Sequence, residues 1–447
     1  MKKFFSEIFF SFRKKGGTVA VTSLTMQAGS VALTLAVNLF LARNMPDSDY
    51  GAFAYASTLI FVLGNLATFG TPNLVLKETG AASEQVSYVK RLLGWAVKRS
   101  VIFLLLLLAA FIFISIQFDL FFAKHEMDEF RIPMLVSLAC IPLLAFLYIL
   151  QAFLQGKREI FNALFGEKIL KSVFFIAAAY FFFVAAGKKP LNFDVVAVVN
   201  LASFLVAVLL MFIAVRKLTA QQATLQVQDE VMNRWKKSAQ TFFMFTAFSM
   251  IYLRADMLCL GFYELPRQLG IYNVSSRVAE AISFPLHVIM FGIAPVIAGL
   301  FSANDKVQMQ KTVTSAVRFM FLLSAIPAVL FIVLGTPILN LFGEQFDAGY
   351  LPMVVLIAGH MLNIIAGPAG YILNMTGHER LAFISMAIAC VSNLAFNLIL
   401  IPKYGIMGAA MGMSLGMLVW NALIMYFVIS RTGIRPDIFY FFRKENL

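Results

Sequence analysis

Apolar residues run through this chain in long blocks separated by short polar breaks. Residues 101 to 116, VIFLLLLLAAFIFISI, hold no charge, and similar runs cover most of the sequence. A hydrocarbon layer of about 30 Å is crossed by roughly 20 apolar residues of helix. Within lipid, backbone N–H and C=O groups must pair inside the segment, so these runs form helices rather than coil. The pattern predicts an all-α, polytopic membrane protein of about twelve transmembrane helices. They fall near 18–42, 51–76, 96–117, 132–155, 163–186, 193–215, 239–262, 270–300, 314–335, 350–375, 380–401 and 405–430. The longest polar connector is 216–238, at the middle of the chain.

Composition sharpens this picture. Of 447 residues, 60% are hydrophobic and 13% charged, against about 25% charged in soluble domains. A soluble core cannot hide that much apolar surface. Cys140, Cys259 and Cys390 lie far apart in or beside apolar runs, and His125, His287, His360 and His378 are equally scattered. No metal-ligand spacing, HExxH, GxSxG or phosphate-binding Walker loop occurs. The sequence therefore predicts no catalytic residue, no metal site and no cofactor, and a protein that is not an enzyme.

The net charge of +13 could suggest nucleic acid, but its placement points to membrane lipids. Lys and Arg concentrate in the N-terminus, the even-numbered loops and the tail, 27 of 36, while 7 lie on the other side. Arg254 and Arg277 fall within spans. By the positive-inside rule both termini are cytoplasmic. The start, MKKFFSEIFFSFRKKGG, carries Glu7 in its apolar part and no small-residue cleavage site, so it reads as an interfacial amphipathic segment rather than a signal peptide.

The chain also repeats itself. YGAFAYAS (50–57) opens span two and LGIYNVSS (269–276) opens span eight. GKRE (156–159) follows span four and GHER (377–380) follows span ten. Gly51 and Gly156 are 105 residues apart; Gly270 and Gly377 are 107 apart. Each half holds six spans, an even number, so the repeats are parallel and related by an axis along the membrane normal. The organisation expected is an N-terminal lobe (1–215), a cytoplasmic linker (216–238) and a C-terminal lobe (239–447) around a central cavity. Gly408, Gly412 and Gly416 lie on one face of the last span, where small residues let helices approach closely in lipid.

NLILIPKYGIMGAAMG (397–412) resembles the N-x-x-L-I-P-x-Y-G-I-x-G-A-A signature of the polysaccharide biosynthesis family of lipid-linked oligosaccharide flippases, in the multidrug/oligosaccharidyl-lipid/polysaccharide exporter superfamily. RADMLCLGFYELPRQLGIYNVSSRV (254–278), SDYGAFAYAS (48–57) and FGTPNLVLKETG (69–80) are similar to the same family's helices seven and eight and their first-half counterparts. The resemblance implies a V-shaped, two-lobe fold. It also implies export of an undecaprenyl-pyrophosphate-linked sugar unit across the bacterial inner membrane, for surface polysaccharides of the O-antigen type. A polysaccharide polymerase and a chain-length regulator are the candidate partners.

Four charges stand out inside spans seven and eight: Arg254, Asp256, Arg277 and Glu280. A charge at mid-bilayer costs about 2.5–3.5 kcal/mol on insertion scales, so these must face protein or water. Arg277 and Glu280 are three apart and can pair on one helix face. Arg254 and Asp256 are two apart and face differently, so Arg254 needs a partner elsewhere. Two readings stand. The four, which sum to zero, form a structural charge network; or Arg254, with Arg277, binds a pyrophosphate or acidic sugar through its planar fork. Lys77 and Arg318, near the cytoplasmic ends of spans two and nine, are further candidates for substrate. So are Asn393 and Asn397, one turn apart on span eleven, where an interhelical hydrogen bond is the competing role.

Two other functions compete. A cation-coupled multidrug exporter of the same superfamily commonly carries an acid in its first helix, and residues 18–42 have none, only Gln27 and Asn38; coupling to H+ or Na+ is left open. A polytopic polysaccharide polymerase needs a sizeable outer loop, and the longest here, DLFFAKHEMDEFR (119–131), is short and acidic.

Overall fold

The computed structural model describes residues 17–81, 90–102, 104–105, 131–157, 159–219, 229–438 and 440. The basic N-terminal segment, most of span three, the outer loop up to residue 130 and the end of the tail lie outside them. The described residues contain helices and no strand. Nine helices among them are long and apolar enough to cross a membrane. One of these, Glu379–Thr432, is two spans joined at a bend. Span eight, not among the nine, is formed by two helices, Pro266–Ala281 and Phe284–Ser302. Every expected span but the third thus has its helical counterpart.

The residues form two compact units. Of the described residues, the first comprises those between Val21 and Arg254 with Glu264–Gly270; the second comprises Ala255–Tyr263 and those from Ile271 onward, with 17–20. Large side chains such as Phe181 (67% exposed), Leu209 and Val333 lie uncovered on the helices. In water such surface would drive association; against lipid tails it costs nothing.

In the first unit, Leu74, Leu147, Phe153, Met211, Trp235 and Ala239 share one buried core. Trp235 revises the expected connector. Residues 216–219 end the helix Phe193–Thr219, and 229–238 begin the helix Asp229–Tyr263. Span seven therefore starts ten residues earlier than its hydropathy suggests. Asp229 and Glu230 sit in its first turn, where the helix dipole favours acids. Trp235 is fully buried beside Trp95, ring centroids 5.9 Å apart. Arg234 reaches Glu78 at 3.2 Å. A hydropathy window sees only the charges; the buried indole is what holds this turn in place.

Span two is interrupted. The helix Asp47–Ala67 stops, Thr68–Gly70 turn, and a second helix runs Thr71–Ala81. Phe69 and Gly70 take positive φ of 51° and 70°. A side chain at Gly70 would strike the Ala239 carbonyl and the Phe243 amide, both 2.5 Å from its first carbon. Backbone freed by such a break must find partners at membrane depth. The Phe69 amide donates to Leu66, and the Thr71 and Ser100 hydroxyls both donate to the Thr68 carbonyl. Phe69 stacks on Phe243 at 4.5 Å, under the Arg99 guanidinium. The repeat-matched Gly51 and Gly270 also meet in this unit, 3.3 Å between the carbon that Gly270 lacks and the Gly51 Cα.

In the second unit, Met290, Val313, Met320, Ile364, Ile372 and Ile424 fill one core. Span ten breaks at Gly367 (φ 70°), between Tyr350–Ala366 and Ala369–Met375. Spans eleven and twelve meet at Pro402–Gly405 without a loop, and Gly405 alone leaves helical geometry there (φ 56°, ψ −131°). The glycine stripe closes this hairpin. A methyl on Gly408 would run into the Leu400 carbonyl. One on Gly412 would stand 2.7 Å from Asn397 Oδ1, and one on Gly416 2.8 Å from Asn393 Cβ. The pairings 400–408, 397–412 and 393–416 advance in opposite directions, as antiparallel helices require. The stripe is a packing feature, as its spacing suggests.

Candidate functional site

The first unit contains a cavity of about 190 Å³ beside the break in span two. Asn65, Thr68, Pro72, Asn73 and Leu76 line it from the two pieces of that span. Tyr148, Gln151, Ala152 and Gln155 line it from the helix Cys140–Gly156, and Thr246 from Asp229–Tyr263. Helical spacing explains the set: Tyr148, Gln151, Ala152 and Gln155 recur at three and four, one stripe of a helix. Asn65 donates from Nδ2 to the Phe61 carbonyl at 2.8 Å. Gln151 Nε2 donates to Glu167 Oε2 at 3.4 Å.

Glu167 belongs to a π-helical turn, Phe165–Leu170, within the membrane helix Ile160–Ala185. Met211 fills the face of this turn left open by Gly166. Lys171 follows one turn on. Its ammonium lies 4.4 Å from the Phe204 ring centroid. The charge count places Lys171 with the cytoplasmic loop residues; the structure places it inside the span. Glu167 and Lys171, four apart within an expected span, are a signal carried by the sequence itself.

Arg254 lies in the same unit, half-buried, its guanidinium 5.4 Å from the Phe61 ring centroid. Counted from the helix end at Tyr263 it is nine residues in, roughly 14 Å along the axis. An aromatic face beside it eases the cost of holding the cation within the bilayer, by about 0.5–2 kcal/mol. Lys77 is exposed on Thr71–Ala81.

The other candidates are in the second unit. Asp256 is buried and accepts from the Tyr272 hydroxyl at 2.5 Å and from the Met257 amide at 2.8 Å. Arg277 Nη1 reaches Glu280 Oε2 at 3.2 Å, the i, i+3 pair its spacing predicts. Glu280 is exposed and Arg277 partly so. Arg318 is exposed on Lys306–Val333. Asn393 and Asn397 are fully buried. Asn397 Nδ2 donates to the Asn393 carbonyl at 2.9 Å, Asn393 Nδ2 to Met413 Sδ at 3.4 Å, and Gly412 and Gly416 press on both side chains. The Asn393–Met413 contact joins spans eleven and twelve, the interhelical role that competes with substrate binding. Tyr272, the partner of Asp256, was not singled out by spacing. Its position in the LGIY turn offered no chemical signal until the fold brought it to the acid.

The helical architecture defines a class. Among solved structures, the chain is similar to the lipid II flippase MurJ in an inward closed conformation, at TM-score 0.71 and 17% identity over 91% of this chain and 87% of that one. It is also similar to an inward-facing multidrug resistance MATE family transporter of the MOP superfamily, at TM-score 0.70 and 15% identity over 93% and 98%. This is a multi-pass membrane protein with the fold of the MOP-superfamily transporters.

Residues 18–301 match the family described as polysaccharide biosynthesis protein, and the chain belongs to that family. Residues 239–399 also match the MatE family. A relative in Haloferax volcanii, a probable low-salt glycan biosynthesis flippase, is 24% identical over 208 residues. The match spans 44% of each protein, less than half the length of that relative.

Proposed function

We propose that this protein is a flippase that carries an undecaprenyl-pyrophosphate-linked oligosaccharide from the cytoplasmic to the outer leaflet of the bacterial inner membrane, for surface polysaccharide assembly. It works as a transporter, not an enzyme, by alternating access of its two six-span halves, residues 1–215 and 239–447. Both termini are cytoplasmic. Family membership over residues 18–301 supports the glycan. Arg254 is the observation that carries the pyrophosphate: a permanent cation within a membrane helix, cushioned by Phe61 and built to fork onto phosphate oxygens. Arg277 is the second phosphate contact, with Glu280 holding it until substrate arrives. Lys77 and Arg318 meet the incoming headgroup from the cytoplasmic side. Asp256 orders the start of the outer turn through Tyr272.

A deletion strain without a redundant transporter should accumulate lipid-linked sugar in the cytoplasmic leaflet. Arg254→Gln should reproduce this accumulation at normal protein level. Normal surface glycan in the deletion strain would refute the proposal, and loss of the R254Q protein itself would mark Arg254 as structural.

A further inference from the structure

We propose that the cavity beside the break in span two is a receptor for one uncharged sugar of the substrate, an inference that rests on the flippase reading above. Four observations lead to it. The first is size. About 190 Å³ holds roughly a dozen water-sized groups at ~10–15 Å³ each, which suits a single pyranose with its hydroxyls. The second is the character of the polar lining. Asn65, Asn73, Gln151 and Gln155 supply amides, and Thr68 and Thr246 supply hydroxyls; no lining residue is charged. Amides both donate and accept, the combination that sugar hydroxyls and acetamido groups need. Leu76, Pro72 and the Tyr148 ring supply apolar surface for the C–H face of the ring.

The third observation concerns charge. A carboxylate, Glu167, touches the lining through Gln151. An acidic sugar therefore finds no counter-charge in the wall. The fourth is position. Thr246 and Arg254 share one helix, eight residues and roughly 12 Å apart along its axis. A sugar in the cavity keeps its phosphates within reach of the arginine. On the proposed orientation, the cavity is at the cytoplasmic end of the two spans, where a newly made lipid-linked sugar enters. The interrupted helix fits such a role, since unwound backbone in transporters is tolerated where it borders a binding cavity.

The test measures binding by the full-length protein in lipid nanodiscs. Three probes are compared: undecaprenyl pyrophosphate, the same lipid carrying one N-acetylhexosamine, and the same lipid carrying one hexuronic acid. The N-acetylhexosamine form should bind the wild type about ten-fold or more tightly than the bare pyrophosphate, as two or three hydrogen bonds would give. In Asn73→Ala/Gln155→Ala that gain should fall below about three-fold while the bare lipid binds as before. Thr246→Val, nearly isosteric, should lose roughly two- to five-fold of the gain and guards against a folding defect in the double variant. Retention of the full gain in either variant, or preference for the uronic acid, overturns the inference. If the bare lipid binds but the sugar adds nothing, the cavity proposal alone fails. If the wild type binds none of the three, the flippase reading falls and the receptor with it.

Discussion

Two groups of side-chain amides in this protein are put to opposite uses. In the first unit, Asn65, Asn73, Gln151 and Gln155 surround open space. In the second, Asn393 and Asn397 are shut away with no exposed surface. Residue chemistry does not separate the two groups. Their surroundings do. The break at Thr68–Gly70 and the stripe of Tyr148, Gln151 and Gln155 hold helices apart around a polar void. Gly408, Gly412 and Gly416 let helices close until no void is left. In a membrane, where helices gain no water-driven attraction for one another, the size of the facing residue decides whether an amide faces a cavity or a neighbour.

The sharpest way to break the comparison is to force the closed side open. Gly408→Leu or Gly412→Leu puts a side chain against the Leu400 carbonyl or the Asn397 amide, and overpacking of about 1–3 kcal/mol or more should leave little folded protein by fluorescence-detected gel filtration. Next in size, Tyr272→Phe removes a hydroxyl from the buried Asp256. A hydrogen bond to a charged group is worth about 1.5–3 kcal/mol, so the melting temperature should drop clearly. Arg254→Gln should leave the melting temperature near wild type and lower flipping at least about ten-fold, for one lost charge-assisted contact. Asn73→Ala, on the exposed rim of the open side, should change stability by no more than about 0.5 kcal/mol; a larger loss would mean the cavity is a packing site too. Glu280→Gln breaks a partly exposed pair worth about 0–1 kcal/mol, and thermal melting should barely register it.

Much of the fold was legible because lipid imposes one rule on every span: apolar residues in helices long enough to cross. That rule located eleven helices, and helical spacing gave the pairing of Arg277 with Glu280 and the close-packing glycines. It failed where tertiary contacts outweigh local hydropathy. The helical start at Asp229 depends on Trp235 docking beside Trp95. The interruptions at Phe69 and Ser283 fall at Gly70–Pro72 and Ser283–Pro285, turn residues that a hydropathy window averages into one span. The site was less legible still. Arg254 could be picked out as a charge in an apolar run, but nothing marked Phe61 as its neighbour. Asn65, Asn73, Gln151 and Gln155 are ordinary uncharged residues, and only the fold gathers them around one space. Lys171 lies within the expected span 163–186, yet a count of basic residues by side groups it with the cytoplasmic charges.

The bend at Gly405 makes spans eleven and twelve a joint without slack. A backbone angle that only glycine adopts readily fixes the turn, and no intervening loop can absorb a shift of one helix along the other. Any stroke the protein makes must carry this hairpin as a single strut, so compliance has to be found elsewhere. The interrupted helices at Phe69, Ser283 and Gly367 are the natural places for the chain to flex.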